Sequence, residues 1–182
     1  ETHYKRFLMP TIRGSERGSK KRYAGVVAGK AGDRLVFKGL ENVRTDWTRL
    51  AREFQEELYR RIFMAEPYED YVKNLTEQVL AGELDQQLVY RKRLRRKLDE
   101  YRRNVPPHVQ AARLCGERGL PVPHRGSWVE YVITTAGAEP EAAALAPLDY
   151  QHYVDRQLEP VADGILGLVG SSFRALVDRQ ID

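Results

Sequence analysis

"KRYAGVVAGKAGDRLVFKGLENVRTDWTRLAREF", residues 21–54, changes its hydrophobic period halfway along. Up to Lys38 it holds two short runs rich in aromatic and branched residues, "KRYAGVVA" and "RLVFKGL". They are joined by "GKAGD", whose glycines and aspartate suit a hairpin turn. From Trp47 onward the spacing is helical: Trp47, Leu50, Ala51, Phe54, Leu58, Arg61 and Ile62 recur on one side, with Thr45 or Asp46 placed to cap the first turn. A hairpin running into an amphipathic helix predicts an α+β chain, a small antiparallel β piece up to about Arg44 followed by a mostly helical lobe.

Working outward, "HYKRFLMPTI" reads as a further strand ahead of the hairpin. On the other side, Pro67 suits the first turn of a second helix, where Tyr68, Tyr71, Val72, Leu75 and Val79 share a face until Gly82. The most charged stretch follows, "YRKRLRRKLDEYRR". Pro106 and Pro107 interrupt it, and "PHVQAARLCGERG" resumes as a helix that Gly119 ends. "SWVEYVITTAG" alternates like a strand, and "AEPEAAALAP" reads as a connector. Two more helical patterns close the chain, "LDYQHYVDRQLEPVADGIL", interrupted at Pro160, and "SSFRALVDRQ". No internal repeat and no low-complexity tract appears.

Composition narrows the function classes. Thirty basic residues against 26 acidic ones leave a net charge of only +4, so the placement of the cations matters more than their sum. Cys115 is the single cysteine, which rules out an intramolecular disulfide and fits a reducing compartment. No apolar run approaches the roughly 20 residues of a membrane span. The first residue is Glu1 rather than methionine, inside a strand-like run, which reads as a piece cut from a longer chain.

The usual catalytic sets are missing. His3, His108, His124 and His152 are scattered and lack zinc-ligand spacing with the one cysteine. No P-loop, dinucleotide fingerprint or serine elbow is present. Adjacent acids such as Glu56 with Glu57, or Glu69 with Asp70, point different ways on a helix and read as solvated faces. By itself the chain offers no catalytic residue and no metal site.

The basic clusters carry more information. Arg91, Lys92, Arg93, Arg95, Arg96, Lys97, Arg102 and Arg103 lie in one stretch with only Asp99 and Glu100 against them. Such crowding costs repulsion, and the phosphates of a polyanion offset it without fixing a base sequence. A solvated face, neutralised by acidic neighbours, is the other reading. Lys20, Lys21 and Arg22 run directly into Tyr23. In a strand, Lys21 and Tyr23 share one face while Lys20 and Arg22 take the other, and Gly25 allows close approach beyond them. That pairing suits a phosphate and sugar at a strand end. An edge strand carrying lysines against aggregation, with Tyr23 in the core, fits these residues equally.

At this point the sequence resembles a family. "KKRYAG" followed after a hairpin by "FKGLENVRTDW" is similar to the palm-to-thumb junction of family B DNA polymerases. "LVYRKRLRRKLDEYRRNVPPHVQAAR" and "PLDYQHYVDRQLEPVADGIL" look like the thumb of its proteobacterial branch, and "ETHYKRFLMPTIRG" like the last palm segment. The similarity covers essentially the whole chain. It implies that residues 1–44 are the C-terminal part of a palm and 45–182 a thumb. The family's Lys-x-Tyr element falls on Lys21 and Tyr23, which would hold the primer end with Lys20 in support. Its Arg-x-Asp element falls on Arg44 and Asp46, implying a structural role at the palm–thumb junction. Arg91 to Arg103 would then lie near the phosphates of primer-template DNA.

The family's catalytic carboxylates belong to a Tyr-Gly-Asp-Thr-Asp-Ser motif absent from this sequence, as are the fingers and the 3′–5′ exonuclease. The resemblance therefore implies an Mg2+-dependent enzyme whose metals bind elsewhere, and a segment inactive alone. Its partners would be primer-template DNA and the rest of its own polymerase chain, with no membrane, in a bacterial cytoplasm at the nucleoid. Gln180, Ile181 and Asp182 look like the start of a sliding-clamp tail, a glutamine followed shortly by an apolar pair. The competing classes are a stand-alone, non-catalytic nucleic-acid-binding module and a protein-interaction domain.

Overall fold

The computed structural model describes residues 3–8, 23–29, 32–38 and 47–178. β1 (Tyr4–Leu8), β2 (Tyr23–Val27) and β3 (Arg34–Lys38) form one antiparallel sheet in that order. Gly32 closes the β2–β3 hairpin: its N–H donates to the Gly29 carbonyl at 3.1 Å, and its φ of 115° is one that a side chain would strain. The β1–β2 register shifts between Tyr4 and Arg6, and this bulge lets Tyr4 and Phe7 share a face although they are three residues apart. The opposite face carries the buried Ala24 and Val26, and there Phe37 meets Tyr59 of the first helix at 5.8 Å.

That helix, α1 (Arg49–Phe63), buries Leu50, Ala51, Phe54, Leu58 and Tyr59 at the expected spacing. Its cap is Thr48, not Thr45 or Asp46. The Thr48 hydroxyl accepts from the Ala51 N–H at 3.2 Å, while Thr45 and Asp46 lie outside the described residues. α2 (Glu69–Leu80) starts two residues after Pro67, and Glu69 and Asp70 bring negative charge to its first turn. Gly82 ends it in the left-handed region at φ 76°.

The helical part holds a second antiparallel sheet, β4 (Tyr90–Arg93), β5 (Trp128–Thr134) and β6 (Gly137–Pro140). Two sequence expectations change here. The basic stretch before Pro106 contains a strand rather than helix, because Leu88, Tyr90 and Leu94 are buried in a two-residue phase that only the exposed Lys92 interrupts, while Arg91 and Arg93 are exposed. "AEPEAAALAP" begins as a strand rather than a connector, and Pro140 is tolerated because it ends an outer strand. Between β4 and β5 runs α3 (Pro107–Glu117), with Pro107 in its first turn and Gly119 beyond its end at φ 74°.

Pro160 does not break the next helix. α4 (Tyr150–Tyr153) passes through a π-helical turn, Val154–Leu158, into α5 (Glu159–Leu166). Proline has no N–H for the Arg156 carbonyl four residues back, and that carbonyl instead accepts from Gln157 Nε2 at 3.2 Å. The same buried amide ties the turn to α1: Gln157 Oε1 accepts from the Thr48 hydroxyl at 2.6 Å and its N–H at 3.2 Å. α6 (Phe173–Val177) is capped by Ser172, whose hydroxyl accepts from the Ala175 N–H at 3.1 Å. Phe54, Leu58, Val72, Val79, Leu88, Tyr153, Leu158, Ile165 and Phe173 belong to a single buried cluster that joins helices to both sheets.

Candidate nucleic-acid interface

β4 is built to present cations on a rigid backing. On its inner side Tyr90 stacks on Tyr131 at 5.1 Å and on Tyr153 at 5.6 Å, and its hydroxyl bonds His152 Nε2 at 2.8 Å. Burial raises the Tyr90 phenol and lowers the His152 imidazole, so both stay neutral at pH 7. Tyr153 in turn accepts from the Ile133 N–H of β5 at 2.9 Å.

On the outer side Arg93 pairs across the sheet with Trp128, and Arg91 with Glu130. Both guanidinium groups lie over the Trp128 ring, Arg91 at 4.2 Å from its centre and Arg93 at 4.9 Å. The indole itself is 39% exposed. Arg91 also approaches Glu130 at 3.8 Å, an ion pair with both side chains about half in solvent. Among the described residues it is the only ion pair made by the cations from Arg91 to Lys97.

The ladder continues past β4 through Leu94, whose N–H donates to Ser127 at 2.8 Å and whose carbonyl accepts from Gly126 at 2.7 Å. This pairing carries the exposed His124–Arg125 turn alongside the exposed Arg95 and Arg96. Ser127 fixes that turn, bonding His124 Nδ1 at 2.9 Å. Arg96 reaches to 5.7 Å over Tyr101, and Arg113 holds the loop by donating to the Leu98 carbonyl at 3.0 Å. Lys92 and Lys97, like Arg102 and Arg103, are exposed. The outcome is a strand and loop of fixed shape carrying closely spaced, largely unneutralised positive charge.

The first sheet is different in kind. Tyr23 lies on the face opposite Ala24 and Val26, so it is not a residue of the core between sheet and α1. It is half-buried against Phe7 at 5.1 Å and Tyr4 at 6.1 Å, with Lys38 Nζ at 6.0 Å from its ring. Hydrogen bonding to Tyr23, and then burial, raises the Tyr4 phenol. Gly25 has a local reason to be glycine: a Cβ there would run into the Tyr4 ring and lie 2.9 Å from the Arg6 carbonyl oxygen. The close approach that this glycine permits is therefore made by Tyr4.

Lys20, Lys21, Arg22, Arg44, Asp46, Gln180, Ile181 and Asp182 lie outside the described residues, as does the expected domain boundary at residue 44. Among the described residues no three of His, Cys, Asp and Glu come together to hold a metal, so those residues do not fit a two-metal site. No helix among them is long and apolar enough to cross a membrane. Glu56 and Arg60 line a cleft of about 320 Å³ beneath β3, but Arg60 is already engaged by Glu57 at 2.8 Å and Glu66 at 2.9 Å. Sequence reasoning missed Trp128 and Arg125. The alternation of "SWVEY" does carry the signal for Trp128, because Val129 and Tyr131 face inward and turn it out.

The chain matches the family profile described as DNA polymerase family B over residues 18–165 and belongs to that family. Within it, the sequence is 57% identical over 187 aligned residues to DNA polymerase II of Escherichia coli (strain K12), covering 100% of this chain and 24% of that protein. It is 34% identical to DNA polymerase 2 of Aeropyrum pernix, over 87% of this chain and 20% of that one. In three dimensions it resembles the family B DNA polymerase of Pyrobaculum calidifontis, with a TM-score of 0.69 and 29% identity over 93% of this chain and 22% of that one. The chain thus spans less than a quarter of the length of these relatives.

Proposed function

We propose that this chain works as the palm-to-thumb segment of a DNA-directed DNA polymerase and grips primer-template duplex during replication and repair synthesis. The observation that carries the reading is the exposed cation series from Arg91 to Lys97, held rigid by Tyr90 and Leu94 and met by one half-exposed carboxylate among the described residues. Phosphates of duplex DNA supply the missing negative charge, and contact with them is independent of base sequence. Tyr23, with Lys20, Lys21 and Arg22 preceding it, holds the primer end, and its place on the outer face of the first sheet supports that role. Residues 1–44 are the palm part and 45–182 the thumb, with Arg44 and Asp46 at their junction. Catalytic carboxylates and Mg2+ are supplied by other parts of the polymerase. Gln180, Ile181 and Asp182 open a tail that docks on the sliding clamp.

The test is the salt dependence of primer-template binding by the polymerase that contains this chain. Log affinity falls steeply with log salt, and the joint change Arg95→Ala and Arg96→Ala flattens the slope by about 1 to 2, near 0.9 per lost phosphate contact. A flat dependence in the unmodified protein contradicts the reading.

A further inference from the structure

Arginine side chains on a strand are mobile, and a grip on DNA has to order them at a cost in entropy. Arg91 and Arg93 are held more closely than Arg96 over Tyr101, and by one indole that serves both. We propose that Trp128 is a positioning residue for DNA: it pre-orders the Arg91 and Arg93 guanidinium groups as a paired clamp for neighbouring phosphates of one strand. The proposal rests on the duplex-grip reading above and goes further, naming a residue that carries no charge and the part of the DNA it serves.

Three observations support it. Both guanidinium carbons lie within 5 Å of the ring centre, 4.2 and 4.9 Å, so both cations are held by the same aromatic surface. Stacking engages the flat face of a guanidinium and leaves its N–H edge available for the two-pronged bond to a phosphate. Arg91 and Arg93 stand two residues apart on a strand, about 6.6 Å at 3.3 Å per residue, a spacing of the same order as that between consecutive phosphates of one strand.

The indole belongs to the outer surface of the sheet. Its neighbours in β5, Val129 and Tyr131, are buried, while Trp128 stays 39% exposed and is not part of the buried core. The two guanidinium groups lie over its ring, and the positive charge they bring to that surface favours a polyanion. Glu130 tunes the clamp. It lies on the same face at 3.8 Å from Arg91, so a phosphate arriving at Arg91 competes with a carboxylate.

The experiment compares Trp128→Phe, Trp128→Leu and Trp128→Ala in the full polymerase, with a defined primer-template as probe and Arg91→Ala with Arg93→Ala as reference. Trp128→Ala is expected to weaken binding about three- to tenfold, the scale of one to two exposed cation–π contacts. Trp128→Leu should be as weak as Trp128→Ala, and Trp128→Phe should retain most of the affinity, all with unchanged melting temperature. Glu130→Gln should tighten binding about twofold, as expected for loss of one exposed ion pair. Rescue by leucine, or full affinity in Trp128→Ala, overturns the proposal and leaves the grip reading standing. So does full affinity in the arginine double variant when the unmodified protein still binds in a salt-dependent way. An unmodified polymerase that binds without salt dependence overturns both.

Discussion

The chain folds two three-stranded antiparallel sheets, and their outer faces solve opposite problems. In β1–β3 the outer face gathers Tyr4, Phe7 and Tyr23 around one another, with Lys38 Nζ 6.0 Å from the Tyr23 ring. In β4–β6 it sets Arg91 and Arg93 over one indole, with a single loose carboxylate beside them. Aromatic groups in the first sheet satisfy each other and shape a surface. Cations in the second outnumber their partners and demand an external one. Under the proposed function, the first sheet positions the primer end and the second supplies the electrostatic grip.

The backing of each face separates them most sharply. Leu94 is fully buried under the basic strand, so Leu94→Ala should cost about 2–5 kcal/mol in urea unfolding. Phe7 is 50% exposed, and Phe7→Ala should cost about 1 kcal/mol or less. Equal losses would break the comparison.

Next in size is the Gln157 junction, which ties α1 to the π-helical turn. Gln157→Leu leaves the buried Thr48 hydroxyl and N–H without their acceptor and should cost about 1–3 kcal/mol. Adding Thr48→Ala should cost less than it does alone, because the two residues share a hydrogen bond. Simple additivity in a double-mutant cycle would show that the bond contributes nothing.

Tyr23 sharpens the role given to the first sheet. In the polymerase, Tyr23→Ala should lower primer extension about tenfold, the scale of one lost hydrogen bond to a charged group, with the melting temperature nearly unchanged. An unfolded Tyr23→Ala beside a Tyr23→Phe that extends normally would make the residue mere packing.

A last test is read in acid, at Glu139. Burial would raise its carboxyl, but hydrogen bonds from Thr134, the Leu145 N–H, Arg118 and the Ala146 N–H hold it down to about 2. A carboxyl held below its unfolded value of about 4.5 adds stability at higher pH and loses it as the pH falls from about 4.5 toward 2. Urea midpoints measured across that window should fall, and Glu139→Gln should flatten the fall.

The sequence exposes the first sheet and the helices because their signals are local. "GKAGD" marks a turn, and Leu50, Ala51, Phe54 and Leu58 mark a helix face. Two of the three strands of the second sheet are hidden. Lys92 stands at an inward-phase position of β4, so the alternation of Leu88, Tyr90 and Leu94 is interrupted by a cation. The helix through Pro160 is equally hard to read, since the π-helical turn before it places the proline in the first turn of α5, where its missing N–H is tolerated. The family motif draws attention to Tyr23 and the basic run. Trp128 becomes part of the same surface only once β4 and β5 are in register, which no spacing along the chain reveals.

The most direct test of the central claim is a structure of the full polymerase bound to primer-template DNA. It should place backbone phosphate oxygens about 3 Å from the guanidinium nitrogens of Arg91 and Arg93, with base edges untouched by this face. A complex in which the Arg91–Lys97 strand faces solvent, away from the duplex, would contradict it.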